Sequence, residues 1–268
     1  MTSVFSTLAV KRIITEELHR IEREYEVTIL LAVESGSRAW GFASPDSDYD
    51  VRFIYVHKPQ WYFSVGKQPD TIEYMSGDRL LDFSGWELRK TLQLLAKTNP
   101  NLSDWLLTDM IYLADEGFLK TIREVQANFY NPIHAMYHFF NIAKRHDEGY
   151  LRKNGCLLKK FLYFLRGLLA CEYIEQHQQH PPVDFRELVD STISDGDLKD
   201  AINSLLALKT KSKEHDSAIV ERALQDFAYD LYNEREKKLA GFRPSLHVRQ
   251  LSDLDAILYR YASGSNRS

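Results

Sequence analysis

Cysteine is nearly absent from this chain of 268 residues, which has only Cys156 and Cys171. They fall on one expected helix, about 22 Å apart at 1.5 Å per residue, which is beyond disulfide reach. Neither has the spacing of a zinc-ligand pair, so buried free thiols are expected. Twelve glycines and eight prolines are too few for a collagen-like or low-complexity chain. No sign of charge dominates: 34 basic residues face 38 acidic ones, for a net charge of −4 and a pI near 6.2. That balance excludes a broadly basic nucleic-acid coat or membrane-surface binder, though not a local basic face.

Long hydrophobic runs are missing as well. The longest apolar stretch, Phe161 to Ile174, is interrupted by Arg166, Gly167 and Glu172 and cannot span a bilayer. The first 26 residues lack an apolar segment followed by a small-residue cleavage site, so no signal peptide is expected. A cytoplasmic protein with no membrane partner is the expectation. What remains is ordinary globular material, 44% hydrophobic and 27% charged, enough for a sizeable core in one or two domains.

The hydrophobic pattern changes character along the chain. Leu8, Ile13, Ile14, Leu18 and Ile21 recur at helical spacing within residues 6–25. Val27 to Val33 is a β-branched and aliphatic run, the pattern of a strand buried on both faces, and it ends at Glu34-Ser35-Gly36-Ser37. After the turn residues Ser44-Pro45-Asp46-Ser47, a second strand is expected over Asp48–Val56. Asp48, Asp50, Arg52 and Ile54 share one face, and Tyr49, Val51, Phe53 and Tyr55 the other. Two short strands, Thr71–Met75 and Arg79–Phe83, flank a turn at Ser76-Gly77-Asp78. Ser84-Gly85-Trp86-Glu87 fits a capping box that opens a helix running to about Lys97. Helices are expected at 101–108 and 116–128. Beyond Asn131-Pro132 only helical patterns remain, at 133–147, 151–177, 196–210, 217–240 and 252–261. The reading is α+β: a small mixed-sheet domain over residues 1–115, followed by an all-helical domain over 116–268.

The chemistry concentrates in Gly36-Ser37-Arg38-Ala39-Trp40-Gly41 and, a few residues on, Ser47-Asp48-Tyr49-Asp50. A glycine at the end of a buried strand lets backbone approach a phosphate closely, and the serine hydroxyl and amides can bind its oxygens. Two aspartates two residues apart on a strand present both carboxylates to one face, where they can hold hard cations. An EF-hand is excluded, because its sixth and twelfth positions would be Val51 and His57. Lys159, Tyr163 and Arg166 form a second group, within about 60° on one helix face. A cation, a phenol and a guanidinium in one stripe suit a triphosphate, while a surface salt-bridged to the first domain is the structural alternative. Walker A, G-x-G-x-x-G and nucleophile-elbow motifs are absent.

Gly-Ser, a spaced glycine and Asp-x-Asp on the following strand resemble the signature of the DNA-polymerase-β-like nucleotidyltransferases. More narrowly, three segments resemble the RNA-repair-pathway branch of that superfamily: GSRAWGFASPDSDYDVRFIY, DFSGWELRKTLQLLAKTNPNLSDWL, and LKKFLYFLRGLLACEYI followed by PPVDF. The resemblance implies transfer of a nucleoside monophosphate from an NTP to an acceptor, with release of pyrophosphate and dependence on Mg²⁺ or Mn²⁺. It places the metal-holding and catalytic pair on Asp48 and Asp50 and a third carboxylate on Asp82, with Glu73 and Asp78 as rivals for that third place. Two cations about 4 Å apart are the expected arrangement. Gly36, Ser37 and Arg38 would meet the nucleotide phosphates, with Lys159, Tyr163 and Arg166 closing from the helical domain. The acceptor is open, RNA being the one the family label suggests. A nucleotide-binding regulatory or interaction module without turnover is the alternative, and the intact Asp-x-Asp argues against it.

Overall fold

The computed structural model describes residues 7–77, 79–148, 158–211, 220–241 and 251–264. Asp78 and Cys156 lie outside the described residues. The amphipathic first segment forms α1 (Thr7–Tyr25), and its apolar residues Ile14, Leu18 and Ile21 are fully buried. The aliphatic run becomes β1 (Val27–Ser35), followed by a single helical turn, α2 (Gly36–Ala39), and then β2 (Tyr49–His57). β3 (Thr71–Met75) and β4 (Leu81–Glu87) complete the strands foreseen from the pattern. A fifth, β5 (Ile111–Ala114), pairs with the open edge of β1. Its four half-buried residues are too few to show a period.

The strands form one mixed sheet in the order β3-β4-β2-β1-β5. All neighbours are antiparallel except β2 and β4, which run parallel with Asp50 opposite Asp82. In β1 the register shifts between Ile29 and Leu31. This bulge lets Leu30 and Leu31 both serve one core while Ile29 and Ala32 serve the other.

β4 corrects the sequence expectation. Asp82 lies at the start of the strand instead of its end, and Ser84-Gly85-Trp86 continue the ladder to Glu87 opposite Tyr55. The N-cap of α3 (Leu88–Ala96) is therefore Glu87, whose carboxylate accepts the N–H groups of Arg89 and Lys90. Pairing on both sides of β4 outweighs the local capping signal. Gly85 is required here, since a Cβ would stand 2.2 Å from the Phe53 ring.

The remaining helices are α4 (Pro100–Leu107), α5 (Glu116–Phe129), α6 (Pro132–His146), α7 (Leu158–His177), α8 (Phe185–Thr192), α9 (Asp197–Lys209), α10 (Arg222–Leu239) and α11 (Ser252–Ala262). Side-chain caps from Asn99, Asp115, Asn131 and Asp184 start α4, α5, α6 and α8. The eight-residue α8 was not visible as a periodic segment.

Three hydrophobic cores result. One packs α1 on one sheet face, through Val51, Phe53 and Tyr55 of β2. A second packs α3, α4, α5 and α11 on the other face, through Ile54 and Val56. The third lies among α6 to α10 and includes Phe42. The amphipathic α5 and α11 bury Phe118, Ile122, Leu254 and Ile257 against the sheet, so the core does not divide at residue 115.

Candidate active site

β1 delivers the chain into a left-handed turn at Gly36, where φ is +61°. A Cβ there would fall 2.1 Å from Asp50 Oδ2. Glycine is thus demanded twice, by its dihedral and by the carboxylate pressed against it. The turn closes with Trp40 N–H donating to Gly36 O and Phe42 N–H to Ser37 O, and it buries Ser37.

The loop that follows is bolted from several sides. Arg38 donates from Nε to Asp48 O at 2.9 Å and from Nη2 to Ser47 O at 2.5 Å, with its guanidinium 3.7 Å over the Tyr49 ring. The buried Lys209 of α9 donates to Ser44 Oγ at 2.9 Å. Phe185 N–H, from α8, donates to Trp40 O, and Gly41 leaves room for Asp184. The Pro-Pro-Val-Asp-Phe segment thereby meets the Gly-Ser turn in space. Arg38 is committed to the loop backbone.

The parallel register brings Asp50 and Asp82 side by side, and one arginine lies between them. Arg52 Nη2 donates to Asp50 Oδ1 at 2.7 Å and to Asp82 Oδ2 at 2.8 Å, while Nη1 donates to Asp82 O at 2.9 Å. Burial raises the Asp50 pKa; Arg52 and Lys159 oppose this, and the negative charges of Asp48 and Asp82 add to it. The charges of Asp48, just ahead of β2, of Asp82 on β4 and of Lys159 on α7 thus all bear on Asp50. Among the described residues, no three His, Cys, Asp or Glu side chains are gathered as a metal cage. Glu73, exposed on β3, stands opposite Ser84 and not Asp82.

Below Asp50 sits Glu34, fully buried on β1. It accepts the Asp50 N–H at 2.9 Å and the Tyr112 hydroxyl. Burial pushes its pKa up to about 7 against those two hydrogen bonds. The sequence reading missed both Glu34 and Arg52. A lone acid inside the aliphatic run was the available signal for Glu34. Arg52 was placed on the aspartate face without its pairing being seen.

The stripe on α7 separates along its length. Lys159 reaches the field of Asp50 and lies 5.7 Å from the Tyr163 ring. Tyr163 packs edge-on against Trp40 with centroids 5.0 Å apart. Arg166 is buried: its Nη2 donates to Asp104 Oδ2 at 3.1 Å, and its guanidinium lies 4.3 Å over Trp40. Trp40 Nε1–H donates to the same Asp104 oxygen. The Arg166 end of the stripe ties α7 to α4 and to the Gly-Ser turn. A cleft of about 210 Å³ opens beside Trp40, Tyr163 and His146. Burial, together with Lys160, Arg145 and Lys159, pulls the His146 pKa down to about 4.

Residues 10–265 match the model of RlaP, the RNA repair pathway DNA polymerase beta family. The chain belongs to that family. It is 46% identical over 206 residues to the uncharacterized protein YcgL of Bacillus subtilis (strain 168), covering 77% of this chain and 79% of that one. Among solved structures it is similar to a nucleotidyltransferase-like protein from Exiguobacterium sibiricum 255-15, at 14% identity and a TM-score of 0.31. That match covers 94% of this chain and 77% of the other. Among the described residues, no helix is long and apolar enough to cross a membrane.

Proposed function

We propose that this protein is a divalent-metal-dependent nucleotidyltransferase that moves a nucleoside monophosphate from an NTP to an acceptor hydroxyl. The observation that carries the reading is the packing of Gly36 against the Asp50 carboxylate, with Asp82 in register beside it. A phosphate-binding turn and an acidic strand end meet there at a single point. The donor set, the Asp48 and Asp50 carboxylates beside a cradle that a Cβ would fill, suits Mg²⁺ or Mn²⁺, with those two as the residues that would hold it and Asp82 in register beside them. When bound, the cation neutralises phosphate charge and favours ionisation of the attacking hydroxyl.

The chain's own groups do the rest. The backbone at Gly36 and Ser37 cradles the phosphates, and Lys159 approaches them from α7. The acceptor oxygen forms a bond to the α-phosphorus as the bond to the bridging oxygen of the β-phosphate breaks, so pyrophosphate leaves. The hydroxyl proton passes to Asp82. Tyr163 and Arg166 act one step back, by fixing Trp40 and the turn that contains Gly36. RNA is the acceptor that best fits the family description.

Incubation with each α-labelled NTP, Mg²⁺ and fractionated cell extract tests the reading. A labelled acceptor that appears with the wild-type chain, and not with Asp48→Asn/Asp50→Asn, is the expected result. NTP binding without labelling of any fraction would favour a regulatory module.

A further inference from the structure

We infer that Arg52 takes the place of one of the two cations, so that the site binds a single divalent ion. This inference rests on the nucleotidyltransferase reading and sharpens it. The space between Asp50 Oδ1 and Asp82 Oδ2 is where these two carboxylates come together on one positive group. Arg52 Nη2 already lies there, at 2.7 and 2.8 Å from the two oxygens. It is not a loose surface side chain that happens to reach across. Its Nη1 is held by Asp82 O at 2.9 Å and by Val51 O at 3.2 Å, so the guanidinium is tied to backbone on both β2 and β4. The strand period puts Arg52 on the same face as Asp50, and the β4 register puts Asp82 next to it.

The two oxygens of Asp50 therefore face different ways. Oδ1 belongs to Arg52, and Oδ2 is pressed toward the Gly36 turn. That second oxygen, with Asp48, is what remains for a divalent ion that also meets phosphates at the turn. The absence of any three-carboxylate cage among the described residues agrees with this division. An arginine also fits the task chemically, because it keeps its charge at any working pH and its planar fork matches carboxylate oxygens. It offsets the repulsion between Asp50 and Asp82 before any ion arrives.

The test counts Mn²⁺ bound to the full chain by electron paramagnetic resonance, with a non-hydrolysable NTP analogue present, and follows thermal unfolding of the same samples. One Mn²⁺ per wild-type chain is expected. Arg52→Gln should take up two, should unfold at a lower temperature without metal, and should recover when Mn²⁺ is added. Arg52→Lys, which keeps the charge, should remain at one. Two Mn²⁺ on the wild type would overturn the role given to Arg52 and leave the transferase reading standing. An Arg52→Gln chain that still binds one ion, or is destabilised without rescue by Mn²⁺, would make Arg52 merely structural and overturn it too. A wild-type chain that takes up no Mn²⁺ would overturn both.

Discussion

Arg52 bridges Asp50 and Asp82 at the end of the sheet, with side chains 18%, 22% and 28% exposed. Arg166 meets Asp104 where α7 crosses α4, with side chains only 5% and 8% exposed. The residue types are the same and the settings differ. At the sheet end the side chains keep partial access to solvent, and Asp50 Oδ2, which Arg52 does not engage, faces the Gly36 turn where a ligand can meet it. In the junction the ions have lost their hydration. Each is held chiefly by the other, with Trp40 Nε1–H also donating to Asp104, and among the described residues Arg166 Nε and Asp104 Oδ1 have no hydrogen-bond partner. One group lies at the proposed site, and the other joins the elements of the fold.

Removing one partner of the buried pair is the strongest way to probe this difference. Arg166→Ala should cost about 3–5 kcal/mol in a denaturant titration, because Asp104 is left charged and uncompensated. A loss below about 1 kcal/mol would erase the distinction between the two pairs. Gly36→Ala comes next. The positive φ alone costs about 1–3 kcal/mol, and the added methyl must displace the Asp50 carboxylate, so Mg·NTP affinity in a calorimetric titration should collapse as well. Retained affinity would separate the turn from the carboxylate.

Asp48→Asn/Asp50→Asn should do the reverse of Arg166→Ala. Stability should change by less than about 1 kcal/mol, since like-charge repulsion is relieved while Arg52 keeps Asp82, but Mg·NTP binding should disappear. Unfolding of the double variant would move the sheet-end pair into the structural class.

The smallest effect concerns a third group, in which the buried Arg235 of α10 pairs with Glu172 and Glu175 of α7. Hydrogen bonds from Arg235 and then Lys238 hold the Glu175 pKa down at about 2. A depressed carboxyl stabilises the fold above its unfolded value, near 4.5, and loses that contribution as pH falls through 2. The melting temperature should thus drop between pH 5 and 2 more steeply in the wild type than in Glu175→Gln. Glu175 is 40% exposed, so the difference should be modest. Parallel slopes would show that the interaction adds nothing in solution.

Much of this was legible in the residues themselves. The strand period put Asp50 and Arg52 on one face, although β2 begins at Tyr49 and leaves Asp48 just outside it, and the Gly-Ser turn after an aliphatic strand marked a place where backbone approaches a charged group. The chain's membership of the polymerase beta family was readable from three short segments. Those signals are local, or depend only on the two-residue and 3.6-residue periods, which a linear chain carries in full.

Pairing and burial belong to the tertiary structure. Whether Asp82 opens or closes its strand was decided by the parallel ladder with β2, which overrode a capping motif. Lys159, Tyr163 and Arg166 look equivalent on a helical wheel, yet Asp50 lies near one end of the stripe and Asp104 at the other. Glu34 sits under Asp50 because β1 and β2 place Ser35 opposite it. An ionised side chain takes its role from the charges and the dielectric around it. Those neighbours come from segments tens of residues away, so the sequence by itself determined which groups could do chemistry, and only the fold decided which of them are free to do it.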